Sequence, residues 1–210
     1  MANVDESPRD ENETARVEVF SDGVFAIAMT LLVLDIKVPH ASDLVGNTTL
    51  PDLLEHEWPA FVAYVLSFAT ILVIWTNHHK LFRLIRRCNH TFLMINGALL
   101  MGVTLVPFTT ALLAEYITHP GAPTAAAVYS GAFILIALLF NVLWHYAAHK
   151  DRLLLPGHDR AVATSITRQY RFGPPLYLAA FLLALFSVPA SVGLCALVVC
   201  FFALPIRGAK

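Results

Sequence analysis

The chain has 210 residues, of which 57% are hydrophobic and only 14% are charged, and its mean hydropathy is +0.65. Soluble domains carry roughly 25% charged residues, so this composition excludes an ordinary globular protein and predicts a polytopic membrane protein. The formal net charge of −1 gives no general attraction to nucleic acid, and three cysteines do not indicate a disulfide framework.

The first segment of the chain, MANVDESPRDENETA, is polar and acidic. A secretory signal peptide would instead begin with basic residues followed by an apolar core. We therefore predict a disordered tail over residues 1–15. A single membrane domain is expected over residues 16–210, and its first span acts as its own insertion signal.

Long apolar runs predict the membrane spans. Four of them lie at about residues 17–37, 59–80, 92–115 and 124–148. The last run, residues 174–206, would form one helix of roughly 50 Å, which is too long for a hydrocarbon core of about 30 Å without severe tilt. Pro189 removes a helix donor and disfavours helix at the preceding residue. We therefore divide this run into spans at 174–188 and 191–206, which makes six in all.

The placement of basic residues tests this count. With six spans, both termini and the connections 81–91 and 149–173 share one side of the membrane. That side holds thirteen of the 14 Lys and Arg residues, namely Arg9, Arg16, Lys80, Arg83, Arg86, Arg87, Lys150, Arg152, Arg160, Arg168, Arg171, Arg207 and Lys210. Only Lys37 lies on the other side. The positive-inside rule therefore predicts that both termini are cytoplasmic.

The first span carries two aspartates, Asp22 and Asp35, which are roughly 20 Å apart along a helix. A charge below the headgroups costs several kcal/mol unless it faces protein or water. A helical wheel places one stripe on the face opposite Asp22, made of Arg16, Phe20, Gly23, Ile27, Thr30, Leu31 and Leu34. Two interpretations remain open. The stripe faces lipid in an ordinary bundle, or it lines a narrow apolar pore formed by several copies of the helix.

Histidines occur at the ends of two spans. In WTNHHKLF, His78 and His79 point about 100° apart, so one imidazole can face inward as a hydrogen-bond partner for Asp22, whereas joint metal ligation is disfavoured. In WHYAAH, His145 and His149 share a helix face at a spacing that suits a metal or haem. The neighbouring Trp and Tyr favour an interfacial aromatic belt instead. We expect no metal and no cofactor.

The motif Arg16-x-x-x-Phe20-Ser21-Asp22, followed by GVFAIAMTLLVLDI, resembles the first-helix signature of the transmembrane protein 175 family. WTNHHKLF and NGALLMGVTLVPF are similar to the patterns of its second and third spans. Members are potassium-permeable channels, lysosomal in animals and present in bacteria as single-repeat, six-span subunits. The resemblance implies an all-α membrane protein with six transmembrane helices per subunit. It also implies a homotetramer in the bacterial plasma membrane, with the first helix lining a central pore.

The resemblance also implies roles for residues of the stripe. Ile27 matches the family's hydrophobic constriction, Thr30 contributes to ion selection, and Leu31 and Leu34 continue the pore wall. A pore closed by Ile27 side chains conducts only when it is wide enough to stay wet, so we expect gating by dewetting. The chain has no TVGYG filter, so we expect only modest selectivity for potassium over sodium. At the outer end, Asp35 either concentrates cations at the pore mouth or pairs with Lys37 or water.

The resemblance to the family also implies a network of polar side chains behind the pore helix. The resemblance assigns Arg16, Ser21 and Asp22 to this network. We assign His78 or His79, together with Asn96, as their partners. Intramembrane Asp and His residues also suit an alternative function, a proton-coupled secondary transporter. No inverted repeat or pair of broken helices supports that alternative. We do not expect an enzyme, because no pairing of a nucleophile with a base stands out in the sequence.

Overall fold

The structure, a computed structural model, describes residues 8–46 and 48–204. In this part of the chain the regular secondary structure is entirely helical apart from one isolated β-bridge. The α-helices are α1 (Pro8–Leu31), α2 (Leu50–His56), α3 (Trp58–Phe82), α4 (His90–Thr104), α5 (Val106–Tyr116), α6 (Ala122–Ala148), α7 (Arg160–Tyr170), α8 (Gly173–Ala184) and α9 (Val188–Ala203). Short 3₁₀ helices occupy Leu32–Asp35, Ala41–Asp43 and His149–Asp151. The expectation of an all-α protein is confirmed.

Four stretches within the described residues are long and apolar enough to cross a membrane: Glu13–Asp35, Trp58–Phe82, His90–Tyr116 and Ala122–Asp151. They correspond to the first four predicted spans. The third is built from α4 and α5, which meet at Leu105. Pro107 lies in the first turn of α5, where its missing donor and its ring interrupt the hydrogen-bond ladder of a continuous helix.

The last apolar run forms two shorter helices, α8 and α9, of 12 and 16 residues. They are separated at residues 185–187, and Ser187 accepts a hydrogen bond from the backbone N–H of Ala190 at the start of α9. The Ser191 hydroxyl donates to the Ala180 carbonyl at 2.7 Å, which joins the two helices. The break at residues 185–187 lies just before Pro189, which occupies the first turn of α9, rather than at residues 189–190. At about 18 and 24 Å the two helices are shorter than a bilayer core, so six spans remain a prediction.

The N-terminal segment differs from the expectation. Helix α1 begins at Pro8, so the prediction of a disordered tail is wrong for residues 8–15, while residues 1–7 lie outside the described residues. Proline suits the first turn of a helix, where its missing donor costs nothing. Thr14 is buried, and its hydroxyl donates to the Arg86 carbonyl at 3.2 Å. Tertiary packing against the connection after α3 thus extends the helix beyond the apolar run.

Helix α6 is the centre of the bundle and packs against α4, α5 and α8. Its buried aromatic side chains, Tyr129, Phe133 and Trp144, are among the largest in the core. Helix α1 packs against α3 and α4 at one side of this bundle. One face of α1 is therefore covered by its own subunit, and the other face is left open.

Candidate pore helix and its polar support

Helix α1 and the turn that follows it have two chemically distinct faces. The buried face presents Ser21, Phe25, Ala28 and Leu32, each at most 1% exposed. The opposite face presents the stripe read from the sequence. Its exposed members are Arg16, Phe20, Gly23, Ile27, Thr30, Leu31 and Leu34. Ile27 is 59% exposed and Leu34 is 73% exposed, so the subunit itself leaves this apolar surface without cover.

Thr30 is the hydroxyl-bearing residue of the stripe. Its Oγ1 donates to the Ile27 carbonyl at 2.9 Å, one turn earlier in the helix. A hydroxyl has one hydrogen and two acceptor lone pairs. Because the hydrogen is used within the helix, the exposed oxygen presents acceptor character to whatever lies against this face.

Behind the stripe, three buried side chains form a hydrogen-bonded chain across α1, α4 and α3. The Ser21 hydroxyl donates to the Val17 carbonyl at 2.8 Å and accepts from Asn96 Nδ2 at 3.0 Å. Asn96 Oδ1 lies 2.9 Å from His78 Nε2. Ser21 and His78 are 0% exposed and Asn96 is 2% exposed.

The proton positions in this chain follow from the donor inventory. The single hydroxyl hydrogen of Ser21 is used on the Val17 carbonyl, so Ser21 can only accept from Asn96. Asn96 must therefore turn its amide nitrogen to Ser21 and its oxygen to His78. His78 in turn carries a hydrogen on Nε2, because an amide oxygen cannot donate. The three residues together fix the rotation of α1 against α3 and α4.

Asp22 has a partner that the sequence analysis did not identify. Its Oδ1 accepts from the indole Nε1 of Trp75 at 2.8 Å. The expectation that His78 or His79 pairs with Asp22 is therefore wrong. His78 bonds to Asn96, and His79 Nδ1 lies 2.8 Å from Glu18 Oε1.

The reason is the antiparallel register of α1 and α3. Moving four residues forward in α3, from Trp75 to His79, corresponds to moving four residues back in α1, from Asp22 to Glu18. The two rings share one face of α3 and stack with centroids 6.1 Å apart. The i, i+4 spacing of Trp75 and His79 was the available signal, but only the register showed which ring meets which carboxylate.

Arg16 and Asp35 complete the set of expected site residues. Arg16 is exposed and makes no hydrogen bond or ion pair with any residue that the structure describes, so one subunit does not bring it into the network. Asp35 is half-buried, and its Oδ2 is buried without a partner among those residues. Lys37 Nζ bonds to Glu115 Oε2 at 2.9 Å, and this carboxylate raises the pKa of Lys37. The alternative in which Asp35 pairs with Lys37 is therefore wrong.

Replacing Trp75 with phenylalanine tests the support of Asp22. The variant keeps the aromatic packing but removes the donor to a half-buried carboxylate in the membrane span. A hydrogen bond to a charged group contributes about 1.5–3 kcal/mol, so we expect a lower thermal unfolding midpoint for the purified protein in detergent.

Trp58→Phe is the matched control for this experiment. Trp58 is 48% exposed and makes no hydrogen bond within the described ranges. Equal midpoints for the two variants would show that the Trp75–Asp22 bond does not stabilise the protein.

Comparison with known proteins identifies relatives over nearly the whole chain. The model of the family described as endosomal/lysosomal potassium channel TMEM175 matches residues 16–107. A potassium channel of Chamaesiphon minutus is 54% identical over 195 residues, covering 93% of this chain and 96% of that protein. A potassium channel of Streptomyces collinus is 41% identical over 199 residues, with coverages of 93% and 95%.

A solved structure is similar to the whole bundle. It is the crystal structure of a lysosomal potassium-selective channel TMEM175 homolog from Chamaesiphon minutus. It aligns with a TM-score of 0.84 at 51% identity and covers 94% of this chain and 100% of that one. The sequence match begins at Arg16, the first residue of the motif on α1. The chain therefore belongs to the TMEM175 family of ion channels.

Proposed function

We propose that the chain forms a potassium-permeable cation channel whose pore is lined by α1. The observation that carries this proposal is the exposed stripe on α1, which lies opposite the buried Ser21–Asn96–His78 chain. The names of the relatives from Chamaesiphon minutus and Streptomyces collinus, both potassium channels, support the permeant ion. The site for the proposed activity is a path for ions rather than a catalytic centre.

A homotetramer would bring four copies of the stripe together around one axis. Such an arrangement removes Ile27, Leu31 and Leu34 from the surface of the separate subunit, where they are 42–73% exposed. Two further residues favour a pore over a lipid-facing surface. Thr30 presents a hydroxyl oxygen, and Gly23 has no side chain to hinder close approach between helices.

The proposed constriction is a ring of four Ile27 side chains. An apolar ring holds water only when it is wide enough, so a narrow ring is a dry barrier to ions. Potassium is more weakly hydrated than sodium and loses water more readily. Partial dehydration at the Ile27, Leu31 and Leu34 rings, helped by the Thr30 hydroxyls, then gives modest selectivity for potassium.

The proposed topology has six spans with both termini on the cytoplasmic side of the bacterial plasma membrane, and residues 16–210 form one channel domain. Thirteen of the 14 Lys and Arg residues lie on the side that this topology makes cytoplasmic. The hairpin of α8 and α9 supplies the last two spans. This arrangement places Ile27 within the membrane and Asp35 near the outer end of α1.

Asp35 is proposed to raise the local cation concentration at the pore mouth. We expect Asp35→Asn to reduce potassium conductance by about twofold at low ionic strength. The difference should vanish near 1 M salt, where the screening length falls to about 3 Å. Single-channel recordings over a series of potassium concentrations measure this effect. A reduction that persists at high salt would indicate a structural role for Asp35 instead.

Bilayer current from the purified full-length protein tests the proposed function. With potassium on one side and sodium on the other, and equal pH on both sides, a channel gives a current whose reversal potential shifts toward potassium. A proton-coupled transporter would need a pH gradient and would give no discrete openings. Confirmed insertion without current at equal pH would favour the transporter.

A further inference from the structure

Two connections at the proposed cytoplasmic end are joined into one unit. Residues 83–89 link α3 to α4, and residues 149–159 link α6 to α7. Ile85 and Leu154 form an antiparallel bridge. The Arg86 N–H donates to the Leu153 carbonyl and the Leu155 N–H donates to the Leu84 carbonyl, each at 2.9 Å.

Buried side chains hold this unit against the bundle. Ile85, Leu153 and Leu154 are 2–7% exposed. The two connections therefore present their polar side chains from a packed base rather than from loose loops. This matters for binding, because a preformed arrangement loses less conformational freedom when a ligand arrives.

A cavity of about 460 Å³ lies between the two connections. Its lining is dominated by charge and includes Arg86, Arg87, Arg152, Arg160, His158 and Asp151. Pockets of about 300–1,000 Å³ are typical of small-molecule sites. Among the described residues, this lining contains four arginines and one carboxylate, that of Asp151, so its formal charge is positive.

Several of these groups lie close to one another or to a neighbouring ring. Asp151 Oδ1 lies 3.5 Å from His158 Nε2, and Asp151 Oδ2 lies 3.9 Å from Arg160 Nη2. Asp151 has a φ of 52° and Lys150 a φ of 54°, a left-handed conformation that is uncommon for residues other than glycine. The guanidinium of Arg152 lies over the Tyr146 ring, 4.8 Å from its centroid.

The cavity lies at the end of the bundle that the proposed topology makes cytoplasmic. It lies where α3 ends, where α4 begins and where α6 ends. Helix α7 starts at the cavity with Arg160 and has an amphipathic pattern: Ile166 and Tyr170 are buried, whereas Arg160 and Arg168 are exposed. Amphipathic helices of this kind lie at the membrane surface, and basic pockets on the cytoplasmic side suit anionic headgroups.

We infer that this cavity binds a phosphate monoester, carried by an anionic lipid headgroup or by a soluble molecule. Guanidinium groups match phosphate oxygens in charge and geometry, and such hydrogen bonds are about twice as strong as neutral ones. The site lies outside the proposed pore and assigns a function to arginines that the pore does not use. Its test is a binding measurement, which is independent of ion conduction.

Two probes distinguish the sources of the phosphate. The full-length protein in detergent is titrated with glycerol 3-phosphate by calorimetry. In parallel, native mass spectrometry counts the lipids retained from nanodiscs of phosphatidylcholine with or without phosphatidic acid. Saturable binding of glycerol 3-phosphate supports a soluble ligand. Selective retention of phosphatidic acid without binding of the soluble probe supports a lipid headgroup.

Three variants make the test specific. Arg160→Gln removes a cavity charge at a side chain that is 88% exposed, so the fold should be unaffected, and we expect roughly tenfold weaker binding of the effective probe. Asp151→Asn removes the carboxylate and should tighten binding several-fold. Arg168→Gln is the matched control, since it removes the same charge from the same helix outside the cavity.

Two results would overturn the inference. One is no saturable binding of glycerol 3-phosphate up to about 10 mM, a weak affinity by any standard, together with equal retention of the two lipids. The other is equal weakening by Arg160→Gln and Arg168→Gln, which would show attraction to the basic surface in general rather than a site.

Discussion

Replacing Ile27 with asparagine is expected to give several-fold larger currents with weaker preference for potassium over sodium. Asparagine is shorter than isoleucine and carries a polar amide, so a ring of four would stay wet and would no longer force ions to lose water. The measurement is single-channel conductance and reversal potential under bi-ionic potassium and sodium, with wild type and variant compared in the same bilayers.

Two controls separate the constriction from a general effect of a polar residue in the membrane. Ile27→Val keeps the ring apolar and should conduct nearly as wild type does. Leu138→Asn introduces the same amide at an apolar residue on α6 that is 47% exposed, and it should leave selectivity unchanged. Wild-type current and selectivity in a well-folded Ile27→Asn protein would rule out this residue as the constriction.

Replacing Asn96 with leucine is expected to lower the free energy of unfolding by about 2–4 kcal/mol. The change leaves Ser21 without its donor and His78 without its acceptor, both fully buried. An unsatisfied buried polar group costs about 1–3 kcal/mol. Loss of folded protein on heating in detergent, followed by size-exclusion chromatography, measures the destabilisation.

A double variant provides the internal check on this second prediction. The Ser21 hydroxyl loses its donor in Asn96→Leu but still donates to the Val17 carbonyl. We therefore expect Ser21→Ala to cost less stability in the Asn96→Leu background than in the wild type. If the double variant is less stable than Asn96→Leu alone by the full cost of Ser21→Ala, the two residues do not interact. The hydrogen bond between Asn96 and Ser21 would then contribute nothing measurable.

The exposed stripe on α1 and the buried hydrogen bonds behind it both result from the rotation of α1 about its own axis. Ser21 is inward because Asn96 and the Val17 carbonyl hold its hydroxyl, and Asp22 is held by Trp75. A rotation of α1 by one residue, about 100°, would break these bonds. It would also remove Ile27 from the exposed face. The polar contacts within one subunit therefore set the surface that the proposed pore requires.

Much of the fold could be predicted from the chain because membrane spans have strong local signals. Long apolar runs gave the first four spans, and Pro189 marked the break before α9. The start of α1 at Pro8 could not be predicted in this way. The polar segment of residues 8–15 lacks an apolar pattern, and its helix depends on contacts such as that between Thr14 and the Arg86 carbonyl, which are remote in sequence.

At the candidate site too, features within one helix could be predicted from the sequence, whereas contacts between helices could not. Spacing at 3.6 residues per turn placed Asp22 opposite Ile27, because the geometry of a helix is local. Partners between helices depend on register and relative rotation, which spacing does not contain. The pairing of Asp22 with Trp75 rather than with a histidine, and that of Lys37 with Glu115, could be read only from the structure.

The sequence by itself determined the membrane class of this protein, its family motif on α1 and the two faces of that helix. The membrane class follows from composition, the two faces follow from the fixed periodicity of a helix, and the motif is a resemblance carried by the residues from Arg16 to Asp22. Only the tertiary structure decided that hydrogen bonds link Ser21, Asn96 and His78 and that Trp75 donates to Asp22. The same holds for the cavity between the two arginine-rich connections. The physical reason is that hydrogen bonds and cavities depend on distances between segments far apart in the chain, which are set by the packing of the whole bundle.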